Sequence, residues 1–79
     1  MPLSKRWRAL DRSAVDAAPN RYGVVEFGAD GTVRAVEAGM VRDVLKEAVA
    51  YGDHEQVRWE TAQDREHATR LAAEHRDRL

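Results

Sequence analysis

Apolar and polar residues alternate along two short stretches of the chain that flank Asp30-Gly31. In the first stretch Val25 and Phe27 fall on one face, which is typical of a half-buried strand. Asp-Gly between two such stretches is among the strongest short-range signals for a tight turn. The pattern therefore predicts a β-hairpin as the central feature of the chain, with strands over residues 21–28 and 32–37.

The turn leaves two registers open for this hairpin. A two-residue loop places Phe27 opposite Arg34, whereas a three-residue loop places Phe27 opposite Val33 and Glu26 opposite Arg34. The second register pairs apolar with apolar residues and opposite charges with each other, and such pairs contribute about 0.2–1 kcal/mol each. We therefore expect the three-residue loop.

A helical repeat follows the hairpin. Five apolar residues lie at positions i, i+3, i+4, i+7 and i+8, which is the spacing of one helix face and predicts a helix over residues 40–51. Gly39 is expected to end the second strand. Gly52 is expected to end the helix, because glycine often occupies the residue that follows one. The apolar positions of this face are Val41, Val44, Leu45, Ala48 and Val49.

Three further elements complete the pattern. Alternation over residues 55–61 predicts a third strand with Val57 and Trp59 facing inward. Short polar residues that can cap a helix, Ser13 and Thr61, precede the two remaining helical segments. These helices are predicted over residues 13–18 and from about residue 62 to the end.

The expected fold is therefore α+β, with a short N-terminal helix followed by the order β-β-α-β-α. Its sheet has three strands and is built around the central β-hairpin. A basic N-terminal segment over residues 1–12 precedes a single domain over residues 13–79.

Composition limits the chemistry and the location. The 79 residues suffice for one hydrophobic core, and the absence of cysteine excludes disulfides and thiolate chemistry. No segment approaches the roughly 20 apolar residues of a membrane span. The N-terminal basic residues are not followed by the apolar run of a signal peptide. We therefore expect a cytoplasmic protein that does not associate with membranes.

Basic residues are concentrated in the N-terminal segment, although the chain as a whole is nearly neutral. A formal net charge of −1 provides no long-range positive potential to attract nucleic acid, so any such binding must use a local patch. The N-terminal segment offers one, because an indole between guanidinium groups can stack a base while the guanidinium groups bind phosphates. The alternative is a solvated arm with the indole packed in the core. The residues expected to bind nucleic acid are Arg6, Trp7, Arg8, Arg12 and Arg42.

Metal and nucleophile sites are not expected. His67 and His75 are eight positions apart in a predicted helix, and this places them about 12 Å apart along the axis, too far to share one ion. Neither Ser4 nor Ser13 lies in a Gly-x-Ser-x-Gly elbow. We expect no metal and no cofactor.

Several segments resemble the motifs of the GIY-YIG nuclease domain. That family often has a proline a few residues before Gly-Val-Tyr, then a turn with Asp-Gly, then Tyr-x-Gly and a helix. Residues 19–25 (Pro-Asn-Arg-Tyr-Gly-Val-Val) are similar to the first motif, and residues 37–39 (Glu-Ala-Gly) are similar to the second. The order of hairpin, helix, strand and helix also agrees, so the resemblance covers about residues 19–79.

The resemblance implies metal-dependent phosphodiester cleavage in active relatives, carried by two tyrosines, an arginine and a glutamate. The matching positions here hold Val25, Glu37, Val44 and Arg70. Valine can neither activate water nor protonate a leaving group, and loss of the arginine removes stabilisation of transition-state charge. The resemblance therefore implies a pseudoenzyme, a degenerate domain without catalytic activity.

Three functions follow as hypotheses. The first is an inactive GIY-YIG-like domain that serves as a binding module, with nucleic acid as its partner. The second is a protein-interaction or homo-oligomerisation module, such as a weak homodimer, that uses the hairpin face with Val24 and Val36. The third is a diverged metal-dependent nuclease that uses Glu37 and a nearby basic residue.

Overall fold

The computed structural model describes residues 6–52 and 54–77. Its elements are β1 (Arg8–Ala9), α1 (Arg12–Ala17), β2 (Tyr22–Ala29), β3 (Thr32–Met40), α2 (Val41–Tyr51), β4 (Gln56–Thr61) and α3 (Arg65–Arg76). The strands form one antiparallel sheet in the order β1-β4-β2-β3. The predicted α+β class is confirmed.

The sheet has four strands in the described residues, not the three expected from the sequence. The additional strand β1 comes from the basic N-terminal segment, where Arg8 pairs with Val57 and Ala9 with Gln56. The boundary expected after residue 12 falls inside α1. Residues 8–12 therefore contribute to the sheet and to the first helix.

The hairpin turn consists of Asp30 and Gly31 alone, whose φ angles of 53° and 76° place both residues in the left-handed region. Two-residue loops of this kind match the right-handed twist of the strands that they connect. The expected three-residue loop is therefore wrong.

A bulge then changes the register of the hairpin. Gly28 pairs with Val33, but the register shifts at the next residue and Phe27 pairs with Ala35. Arg34 is the extra residue of the bulge, so the expected pairing of Phe27 with Val33 is also wrong. A bulge leaves one residue unpaired, and here that residue is an exposed arginine while Phe27 keeps an apolar partner.

One face of the sheet, called here the α2 face, packs against α1 and α2. It presents Val25, Phe27 and Val57, all fully buried. Leu45 of α2 and Ala14 of α1 belong to the same core cluster. Four of the five residues of the apolar face predicted for residues 40–51 therefore pack against the sheet, namely Val41, Val44, Leu45 and Ala48, whereas Val49 is exposed.

The opposite face, called here the α3 face, is covered by α3. Val24 and Val36 are buried there against Ala72, with half-buried Leu71 beside them. The expectation that Val24 and Val36 form an exposed surface for another chain is therefore wrong. The small side chains on the inner side of α3 allow the helix to approach the strands closely.

The helix boundaries differ from expectation at their N-termini. Asp11 caps α1 and Asp64 caps α3, and each carboxylate accepts from the backbone N–H three residues on, at 3.1 and 2.8 Å. The caps expected at Ser13 and Thr61 are wrong. Gly52, with φ of 67°, ends α2 as predicted. The expected C-terminal end of the last helix lies outside the described residues.

Gly39 lies inside β3, opposite Gly23, and does not end the strand as expected. A Cβ on Gly23 would lie 2.5 Å from the carbonyl oxygen of Glu60 and 2.8 Å from the side chain of Val41. The first residue of α2 therefore approaches β2 more closely than any side chain at position 23 permits. None of the helices in residues 6–52 and 54–77 is long and apolar enough to cross a membrane.

Candidate nucleic-acid interface

Three arginines and two tryptophans line a groove of about 380 Å³ at the β1 edge of the sheet. Because β1 pairs only with Gln56 and Val57, the remaining outer edge of β4 adjoins this opening. The groove brings together the N-terminal segment and β4, which are about fifty positions apart in the sequence. This arginine–tryptophan groove consists of Arg6, Trp7, Arg8, Arg58 and Trp59.

Trp7 lies on the α3 face, where the guanidinium of Arg58 is 4.1 Å from the centre of its ring. A Cβ on Gly28 would be 2.8 Å from the far edge of the same ring. The glycine therefore leaves room for Trp7 to lie over β2. The sequence also left open a solvated arm with Trp7 packed in the core. Trp7 is only half-buried and also lines the groove, so this alternative is correct in part.

Arg58 is fixed from below by Glu26. Nε of Arg58 donates to Oε1 of Glu26 at 2.7 Å, and Nδ1 of His75 lies 2.9 Å from Oε2. Glu26 is fully buried and His75 is nearly so. A buried ionic cluster therefore links β2, β4 and α3 beneath the indole of Trp7.

The α2 face carries a second, more exposed stack. The guanidinium of Arg8 lies 4.9 Å from the ring centre of Trp59, and both side chains line the groove. Arg8 is exposed and Trp59 is half-buried. Contacts between a guanidinium and an indole contribute about 0.5–1 kcal/mol at exposed sites. The two stacks place planar groups on both sides of the sheet edge.

Only three of the five residues expected to bind nucleic acid line the groove. Arg6, Trp7 and Arg8 line the groove, whereas Arg12 lies on α1 beside Val15 and Lys46. The guanidinium of Arg42 donates from Nε and Nη2 to the carbonyl oxygen of Ala18, at 3.1 and 2.9 Å. Arg42 therefore connects the end of α1 to α2 and does not belong to the groove.

The four positions compared with the nuclease motifs do not all lie on the same face of the sheet. Val25 and Glu37 are cross-strand partners, and Val44 of α2 packs against the core that contains Val25. Arg70 lies exposed on α3, which covers the opposite face of the sheet. Three of the four positions therefore meet on the α2 face, and the fourth does not.

A second groove, of about 130 Å³, lies at Glu37. His54 stacks on Phe27 there with 4.7 Å between ring centres, and Glu47 and Tyr51 complete the polar part of the lining. Among residues 6–52 and 54–77, no three histidine, aspartate or glutamate side chains are grouped so that they could hold a metal ion. The groove offers hydrogen-bonding groups without a cation site.

Sequence reasoning missed Arg58 and Trp59 as groove residues. Alternation placed Arg58 on an outward face, but α3 and Trp7 cover that face, and the side chain is only 11% exposed. The available signal was Glu26, a carboxylate in the middle of an apolar strand, since a buried carboxylate requires a partner. The third residue of the buried cluster, His75, was considered from the sequence only as a metal ligand together with His67.

Comparison with known proteins identifies a family for almost the whole chain. The family described as Domain of unknown function (DUF7508) matches residues 1–78. No curated protein and no solved structure matches the chain significantly. The chain therefore belongs to the DUF7508 family.

Proposed function

We propose that this domain is a nucleic-acid-binding module that uses the arginine–tryptophan groove. The observation that carries the proposal is the convergence of Arg6, Trp7 and Arg8 with Arg58 and Trp59 on one sheet edge. Guanidinium groups bind phosphates, and aromatic rings stack on bases without regard to sequence. The exposed charges of the groove are Arg6 and Arg8, because Arg58 is paired with Glu26.

We further propose that the domain descends from a GIY-YIG nuclease domain, which it resembles in sequence. Support comes from the hairpin, where Gly23 pairs with Gly39 and Val25 with Glu37, so the two similar segments lie side by side. Arg70, on the far side of the sheet, gives no such support. The domain is then a pseudoenzyme that binds without cutting, because Val25 and Val44 carry no group that transfers protons or stabilises charge.

The binding test measures anisotropy of labelled oligonucleotides between about 50 and 200 mM salt, with an expected dissociation constant on the order of 10⁻⁴–10⁻⁶ M. Replacing both Arg6 and Arg8 by alanine is expected to weaken binding and to reduce the salt slope by about one unit per arginine. Arg34→Ala is the matched control, because Arg34 is an exposed arginine on the opposite edge strand. No binding at low salt, or equal effects of the groove and control variants, contradicts the proposal.

The same preparation tests the absence of cleavage. Incubation of single-stranded and duplex DNA with Mg²⁺ is expected to leave both intact. The rival hypothesis, a diverged nuclease, uses Glu37 on the α2 face with a nearby basic residue. Mg²⁺-dependent cleavage that disappears in Glu37→Ala contradicts the inactive assignment and supports the rival.

The interaction hypothesis loses its original surface, because α3 covers Val24 and Val36. The large apolar side chains that remain exposed in the described residues are Val49 and Tyr51 of α2. Two side chains on one helix are far from the extent of a specific interface, which buries about 800 Å² per partner. Nucleic acid is therefore the partner that we propose.

A further inference from the structure

We infer that the arginine–tryptophan groove selects unpaired strands of DNA or RNA over duplexes, with a base stacked on Trp7. This inference rests on the proposed function and specifies its ligand. Trp7 is held against Arg58 at 4.1 Å, is half-buried, and lines the groove. Bases whose faces are free can stack on such a ring, and the bases within a duplex cannot.

The platform for this base is held in place before binding. Arg58, below the ring, is fixed by its bond to buried Glu26, and Glu26 is fixed in turn by His75 of α3. Ordering a mobile side chain on binding costs conformational entropy, and a ring held in advance largely avoids that cost. The buried cluster therefore serves the groove by keeping the indole in one orientation.

The charge of the groove also favours a single strand. Duplex binders without base contacts depend on many phosphate contacts, and their affinity scales with that number. The groove has two exposed arginines, Arg6 and Arg8. Base stacking strengthens the binding of an unpaired strand without further charges. A groove with few charges and planar side chains therefore gains most from unpaired bases.

The helices offer no alternative surface for a duplex in the described residues. A helix that reads the major groove presents basic and polar side chains on one face. The exposed positions of α2 and α3 instead mix both signs, which produces no positive stripe. These positions include Asp43, Lys46 and Glu47 on α2, and Glu66, Arg70 and Glu74 on α3.

The test compares four probes of equal length: unstructured single strands of DNA and of RNA, and the corresponding duplexes. Anisotropy measures affinity, and quenching of tryptophan fluorescence measures stacking. We expect both single strands to bind at least 10-fold more tightly than the duplexes, and to quench the fluorescence. Selection of only one of the two single strands would contradict the proposed shared recognition of unpaired bases.

The variants separate stacking from packing. Trp7→Phe retains an aromatic face and is expected to lose less than 3-fold in affinity for single strands. Trp7→Leu fills similar apolar space without that face and is expected to lose more than 10-fold. Far-ultraviolet circular dichroism and thermal unfolding verify the fold of each variant. If Trp7→Leu is too unstable, Trp59→Phe provides the second measurement, because Trp7 is then the remaining tryptophan. Single strands are expected to quench its fluorescence, and binding without quenching overturns the role of Trp7.

The failures are distinguishable. Duplexes that bind as tightly as single strands, with loss in the variant lacking Arg6 and Arg8, overturn this inference and leave the proposed function standing. Equal affinities of Trp7→Phe and Trp7→Leu for single strands overturn the stacking role of Trp7 and leave the proposed function standing. Absence of binding by all four probes overturns the inference and the proposed function together.

Discussion

The carboxylate of Glu26 lies fully buried in the middle of β2, and its Oε1 accepts a hydrogen bond from Nε of Arg58 at 2.7 Å. His75 approaches the other oxygen at 2.9 Å. A buried charge is tolerated when its oxygens are satisfied by partners of this kind. The cluster crosses three elements, so it fixes β4 and α3 relative to β2.

Removal of Glu26 is expected to destabilise the fold strongly. In Glu26→Ala the guanidinium of Arg58 and the ring of His75 lose this acceptor at a buried site, and breaking such a pair costs about 3–5 kcal/mol. Urea unfolding measures the change. Glu60→Ala is the control, because Glu60 is exposed on the adjacent strand and is expected to change stability by less than about 0.5 kcal/mol.

An equal effect of the two substitutions would show that the buried cluster contributes no more than a surface carboxylate. Glu26→Gln tests the charge separately from the shape. The amide keeps one carbonyl acceptor for Arg58 but removes the carboxylate charge that faces the guanidinium, so an intermediate loss is expected.

Gly23 is expected to resist replacement by any residue with a side chain, for steric reasons. A Cβ at this position would meet the Glu60 carbonyl oxygen at 2.5 Å and Val41 at 2.8 Å, so Gly23→Ala must separate β2 from β4 or displace the start of α2. Overpacking of this kind typically costs 1–3 kcal/mol, and we expect a loss of about 3 kcal/mol because backbone is involved. Thermal unfolding measures the loss.

Gly52→Ala is the comparison for Gly23→Ala. Apart from its chain neighbours, no described residue has an atom within 4 Å of a Cβ on Gly52, but its φ of 67° is unfavourable for alanine and costs about 1–2 kcal/mol. Gly23→Ala should therefore be the more damaging substitution. The reverse order would mean that the sheet yields more readily than the end of α2.

Arg42 is expected to act in stability and not in binding. Its two hydrogen bonds to the Ala18 carbonyl connect the end of α1 to α2. Hydrogen bonds that involve a charged group contribute about 1.5–3 kcal/mol, so Arg42→Ala should cost about 1.5 kcal/mol at this half-buried site. Its affinity for oligonucleotides should match that of the unaltered domain within about 2-fold. A loss of affinity without loss of stability would return Arg42 to the binding surface.

The sequence predicted the helices and strands better than it predicted which faces of the sheet the helices cover. Alternation and the Asp30-Gly31 turn identified β2, β3 and β4, because a period of two is a strong signal over six or more residues. β1 was missed because Arg8–Ala9 is too short to show any period. Gly39 was expected to break a strand, but glycine there lies opposite Gly23, where α2 begins against the sheet.

The candidate site was predicted only in its N-terminal half. Arg6, Trp7 and Arg8 are adjacent in the sequence, so their composition alone indicated a patch. Arg58 and Trp59 join them through the pairing of β1 with β4, which depends on tertiary structure. Alternation also cannot distinguish a strand with one covered face from a strand with two, and for that reason Arg58 was placed outward.

Arg76 is expected to protect the outer edge of the sheet. β3 is the outermost strand on that side among the described residues, and Arg76 of α3 donates from Nε and Nη2 to the carbonyl oxygen of Val36. The two distances are 3.0 and 2.6 Å. Unpaired groups on an edge strand can pair with a second chain, and a charged side chain at the edge opposes that pairing.

Arg76→Ala is therefore expected to increase self-association, because it frees the Val36 carbonyl and removes a positive charge from the edge. Sedimentation velocity over a range of protein concentrations measures the association. Arg70→Ala is the control, since Arg70 is an exposed arginine of the same helix. If both variants sediment as the unaltered domain does at every concentration, Arg76 does not protect the edge, and the bulge at Arg34 is then the feature of β3 that discourages pairing with another chain.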